Sequence, residues 1–113
     1  MDDRLKLLAE ADVLAFGPVG FAGVVLPVTQ AYYDVAEALE RDGEVLRPRL
    51  ERLLGTATPA GRLYAADLLY RLDPAAGRNA WRRLVADGTE VQTFSGCVMG
   101  QTTVGDYAGQ QAQ

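Results

Sequence analysis

Apolar side chains recur at helical spacing along most of this chain. Leu5, Leu8 and Ala11 follow one another in three-residue steps behind Asp2 and Asp3, acids that suit the positive end of a helix dipole, and they predict a first helix over 2–15. Gly17-Pro18 stops it, and an apolar loop rich in glycine and proline fills 17–28. Tyr32, Val35, Ala36 and Leu39 form one stripe of a second helix over 30–41, with Thr29 as its cap and Asp42-Gly43 as its end. Leu46, Leu50, Leu53 and Leu54 predict a third over about 44–54. Pro48 fits only a first turn, so this helix begins near Arg47 or opens irregularly.

Thr58-Pro59 and Asp73-Pro74 each place a capping oxygen before a proline at the first helical position, and they open helices over 59–72 and 74–86. The former is apolar nearly all round, from Leu63 to Leu72, as a central helix must be; Tyr64, Tyr70 and Trp81 all read as core. The latter has one apolar stripe, Ala80, Trp81, Leu84 and Val85, and one arginine face. Beyond Asp87-Gly88 the pattern loses its helical period, and 89–100 reads as extended. Thr103 caps a last turn over 104–108, and 109–113 has nothing to bury and is expected to be mobile.

A length of 113 residues is one domain at the usual ~100–200 residues each, long enough to bury roughly two-thirds of its extended surface. The expected fold is all-α, a short stack of about five antiparallel helices with a short extended C-terminal appendage. In order along the single domain come an N-terminal helix within 1–16, the loop 17–28, a helical core 29–86, an extended segment 87–108 and the tail 109–113.

The segments Thr58-Pro59-Ala60-Gly61-Arg62 and Asp73-Pro74-Ala75-Ala76-Gly77-Arg78 repeat one another one helix apart, and with the proline-started helix pairs they resemble HEAT-like α-helical repeats over about 29–86. The stretch 44–99, ending in Ser95-Gly96-Cys97, is also similar to small uncharacterised bacterial helical proteins, a resemblance that brings no activity with it. HEAT-like repeats imply an α-α superhelix that serves as a protein-interaction scaffold. This chain departs from them in its shortness, its irregular N-terminal loop and its strand-like end.

Composition narrows the chemistry. There is no histidine, which removes Ser-His and Cys-His nucleophiles and the commonest metal ligand. The single cysteine, Cys97, cannot close an intramolecular disulfide or hold a structural zinc alone, and with no neighbouring cation to activate it, it reads as a buried, inert small hydrophobe. Lys6 is the one lysine beside ten arginines, which disfavours Schiff-base chemistry. Asp67 stands four residues before Arg71 and reads as an ion pair rather than a catalytic acid. No catalytic residue, metal site or cofactor is implied.

The net charge of −4 is unevenly spread, with eight acids and three bases in 1–42, four acids and eight bases in 43–86, and three acids alone in 87–113. The basic middle third offers Arg49, Arg52, Arg78, Arg82 and Arg83 as a docking surface for a protein with an acidic surface. A second candidate is the loop with Val19, Phe21, Val24, Val25 and Leu26, apolar residues that either cover the end of the stack or meet a partner. Its Gly17-x-x-Gly20-x-x-Gly23 spacing lacks the Lys-Ser/Thr of a phosphate loop. No charge falls between Val13 and Tyr33, yet Pro18, Pro27 and three glycines interrupt any membrane span there. Glu10 and Asp12 stand where a leader would need bases, so the expected compartment is the cytoplasm, an exported precursor with its leader outside this sequence being the alternative. The function expected is a non-enzymatic protein–protein interaction module. The alternatives are a small enzyme or phosphate or other anionic-ligand binder using the arginine cluster, and a nucleic-acid contact through the basic middle third, against which the chain's overall acidity argues.

Overall fold

Helix α3, Pro59–Leu72, is the axis around which the rest is built. Pro59 fixes the first helical φ, and the Thr58 Oγ1 accepts the N–H of Gly61 at 3.2 Å while donating to the carbonyl of Ala11 at 2.6 Å. Leu63, Tyr64, Ala65, Ala66 and Leu68 are wholly buried because other elements pack on every side of it. These are α1 (Asp2–Ala9), α2 (Pro27–Thr56), α4 (Pro74–Leu84) and α5 (Val104–Gln111), with the strands β1 (Val13–Leu14) and β2 (Glu90–Ser95). A third strand, β3 (Val98–Thr103), completes the fold, which comes from a computed structural model that describes residues 1–20 and 22–112.

The all-α expectation is overturned. The three strands form a mixed sheet in the order β1-β2-β3, with β1 parallel to β2 and β2 antiparallel to β3. The extended appendage is thus a hairpin, Ser95 pairing with Val98 across Gly96-Cys97, and Gly96 takes a φ of +59° while Cys97 stays out of that region. Positive φ at the first turn position alone is the pattern of a type II′ hairpin, which glycine permits. Val91 is the side chain of β2 that this sheet buries most fully.

Helix boundaries shift with it. The first helix ends at Ala9, because Leu14 and Ala15 are needed at the sheet: Val13 and Leu14 pair with Gln92 and Thr93. Thr29 is no cap; α2 starts at Pro27, and the buried Thr29 hydroxyl donates to the carbonyl of Ala15 at 2.7 Å. The break expected at Asp42-Gly43 is a kink inside α2, where Asp42 has φ −125° and ψ 28°, and the helix resumes through Pro48. The caps at Asp73 and Thr103 are present, accepting from Ala75 and Asp106, each at 3.0 Å. Helix α5 runs to Gln111, through residues expected to form the start of a tail. Tyr70 and Val85, placed in the core by pattern, are 42% and 46% exposed.

Two side chains pin the strand segment to the helices. Tyr64 Oη accepts the N–H of Ala15 at 2.7 Å and lies 3.0 Å from the Ala15 carbonyl, and Tyr33 donates to the carbonyl of Phe16 at 2.7 Å. Ala15 is only 1% exposed, so Tyr64→Phe leaves its N–H buried without a partner; the expected loss is about 1–3 kcal/mol, read from urea denaturation. A variant as stable as the parent would show that water replaces the phenol there. No helix among the described residues is long and apolar enough to cross a membrane, and the uncharged stretch goes into β1, the following loop and the start of α2.

Candidate functional site

The hairpin tip and the 17–26 loop meet at one end of the molecule. Gly20 and Gly23, with φ of +76° and +63°, fold the loop back on itself so that Val19 and Val24 exchange backbone hydrogen bonds of 2.8 and 2.9 Å. The N–H of Gly20 then donates to the carbonyl of Gly96 at 2.7 Å, and Val19 bridges to Gly96. Loop and hairpin therefore form one ribbon beside the sheet. Val19 is buried and Leu26 half-buried, but Val24, Val25, Val98 and Met99 are all exposed, Val98 by 69% and Met99 by 64%. Phe21 lies outside the described residues.

Behind this ribbon opens a cleft of about 260 Å³, lined chiefly by Leu14, Phe16, Pro18, Phe94, Ser95 and Tyr107. Phe16 stands edge-on to Tyr32 and Tyr64, with centroids 5.1 and 5.2 Å away. Burial and the negative charge of Asp67 push the Tyr107 phenol up to about 12, and burial raises that of Tyr64. Neither is a base at neutral pH.

The polar groups next to these rings bond to one another. Tyr32 donates to the Asp67 carboxylate and accepts from Arg71 Nε at 2.7 Å, and the same Nε lies 3.6 Å from Asp67, so the expected i,i+4 pair exists with a tyrosine set between its members. The Arg71 guanidinium also stands 5.4 Å from the centroid of the Tyr32 ring. Burial and the adjacent carboxylate both push the Tyr32 phenol up from its ordinary value. No group of three or more acids or cysteines among the described residues converges as a metal-ligand set. The cluster ties α2 to α3.

The arginines are divided rather than gathered. Arg49 pairs with Asp2, and with Arg52 and Lys6 it borders a groove between α1 and α2. Arg83 borders a different groove, between α2 and α4, beside Glu51 and Asn79. Arg78 and Arg82 are exposed on α4, and Arg82 lies 3.4 Å from Asn79. Arg47 and Arg62 are held by Asp73 and Asp87 at 3.3 and 3.1 Å.

Cys97 is exposed in the hairpin turn, not buried. The expectation of an inert thiol rests on burial and on the lack of a neighbouring cation, and the burial is overturned: Val98 and Met99 are exposed beside it. A neutral thiol reagent is expected to label the native protein nearly as fast as the denatured one; strong native protection would mean that the turn is covered. Val98 and Met99 were also missed as surface candidates, and the alternation of Val91 and Thr93 with polar neighbours was the signal that a strand, and so an exposed tip, lay there.

No protein-family model, no curated protein and no solved structure matches this chain.

Proposed function

We propose that this protein is a non-enzymatic interaction module that binds another protein through the sheet end of the molecule, the ribbon formed by the 17–26 loop and the β2–β3 hairpin. One observation carries this reading. Val24 and Val25 on the loop and Val98 and Met99 on the hairpin are exposed at the end where loop and hairpin join, and among the described residues β3 pairs with β2 alone. Side chains of this kind are usual at the buried centre of an interface, and an unpaired strand edge supplies backbone groups for a partner. The separation of Arg49 and Arg52, at the groove between α1 and α2, from Arg78, Arg82 and Arg83 on α4 favours the sheet end over one shared basic face.

Site-specific photo-crosslinking in extracts of the native host tests it. A benzophenone side chain at Val24 or Met99 is expected to give a discrete protein adduct, whereas the same group at Arg82 gives none. Adducts at Arg82 alone would move the interface to α4 and to an acidic partner.

A further inference from the structure

We propose that the outer edge of β3 takes up an extended, positively charged segment of the partner as a fourth strand; this rests on reading the sheet end as the docking surface. Ser95 and Val98 flank a two-residue turn and are therefore a hydrogen-bonded pair, so alternation sends the backbone groups of Gly100 and Thr102 inward to β2 as well. The N–H and C=O groups of Met99 and Gln101 point the other way, where among the described residues no strand lies.

Proteins usually blunt such an edge with a charge, a proline, a bulge or a covering element. Val98–Thr103 carries no charge and no proline, and its register against β2 runs without interruption from Glu90↔Thr103 to Ser95↔Val98. The edge is regular, with Val98, Met99 and Gln101 exposed along it.

Charge names the occupant. From residue 84 to the C-terminal residue of this sequence there is no base. Glu90 lies across from Thr103, and Asp106 is exposed in the first turn of α5 directly after β3. Among the described residues neither of these two enters an ion pair, whereas Asp87 is already held by Arg62. Glu90 accepts only the side-chain amide of Gln101, at 2.9 Å. An uncharged edge with an acidic fringe complements a strand carrying lysine or arginine at alternate positions. A second copy of the chain, at net −4, would bring the same acids to the seam.

The test is selection from a displayed library of random peptides about twelve residues long, enough to form one strand. Binders retained by the wild-type protein are expected to be enriched in lysine and arginine and to elute with rising salt. Gln101→Pro removes an outward N–H and no ladder bond, so it should leave the melting temperature nearly unchanged and lower retention at least ~10-fold. The pair Glu90→Lys with Asp106→Lys should reverse the preference toward acidic peptides, and it decides the matter even if the proline variant fails to fold. Binders without cationic bias, equal retention by a folded Gln101→Pro variant, or an empty selection would overturn the proposal. So would a concentration-dependent dimer abolished by Gln101→Pro, which would assign the edge to a second copy. Adducts at Met99 together with uncharged binders would remove this inference alone, whereas adducts confined to Arg82 would remove the docking surface as well.

Discussion

Gly77→Ala is expected to lower the melting temperature by roughly 10–15 °C, equivalent to about 2–3 kcal/mol. Gly77 lies where α4 crosses α3, and a Cβ there would overlap the backbone N and Cα of Tyr70 as well as its Cβ. A flexible side-chain tip would swing aside, but helix backbone moves only if the two helices separate. Helix propensity works in the opposite direction, favouring alanine by ~1 kcal/mol, so the sign of the result shows which effect wins. Gly55→Ala in α2 is the control, because nothing lies within 4 Å of the added methyl. It should leave the melting temperature unchanged or raised. If thermal melts followed by circular dichroism place Gly77→Ala at or above Gly55→Ala, the close crossing of α3 and α4 is wrong.

The second large effect is expected at Trp81→Ala, a loss of about 3–5 kcal/mol in urea denaturation through lost transfer energy and the cavity left behind. Trp81 is 2% exposed, and its ring lies 5.9 Å from that of Tyr107, joining α4 to α5. Two further readouts identify the cause. Arg82→Glu, next in sequence but exposed, should change stability by no more than ~0.5 kcal/mol. The Tyr107 phenol, raised to about 12 chiefly by burial, should titrate lower once its cover is removed. A Trp81→Ala variant with parental stability and an unmoved tyrosine titration would show that α5 is held by something else.

Helices with both a cap and a stripe were legible in the sequence. Thr58-Pro59 and Asp73-Pro74 set the starts of α3 and α4 because proline and a side-chain oxygen act within one turn, whatever the rest of the chain does. β1 was not legible. Val13 and Leu14 continue the apolar spacing of α1, and only their partners Gln92 and Thr93, far along the chain, pull them into a sheet. Thr29 misled for the same reason, since a threonine before an amphipathic stripe reads as a cap until the carbonyl of Ala15 claims its hydroxyl. Gly96-Cys97 is not one of the familiar hairpin pairs, so the strand-like segment was read without its turn. Of the candidate site, the loop residues Val24 and Val25 were named from their apolar character alone. Val98 and Met99 depended on the unseen hairpin, and the division of the arginines depended on how the helices pack.

The parallel pairing of Val13–Leu14 with Gln92–Thr93 also orders events in time. Contacts of α2 with α3 and of α3 with α4 join neighbours in sequence and form through short loops, whereas β1 meets β2 only by closing most of the chain on itself. During synthesis α1 to α4 can therefore assemble while residues 90–103 are still inside the ribosome. Of the proposed docking end only the 17–26 loop belongs to that nascent body, so its hairpin half is added by the last long-range closure of folding.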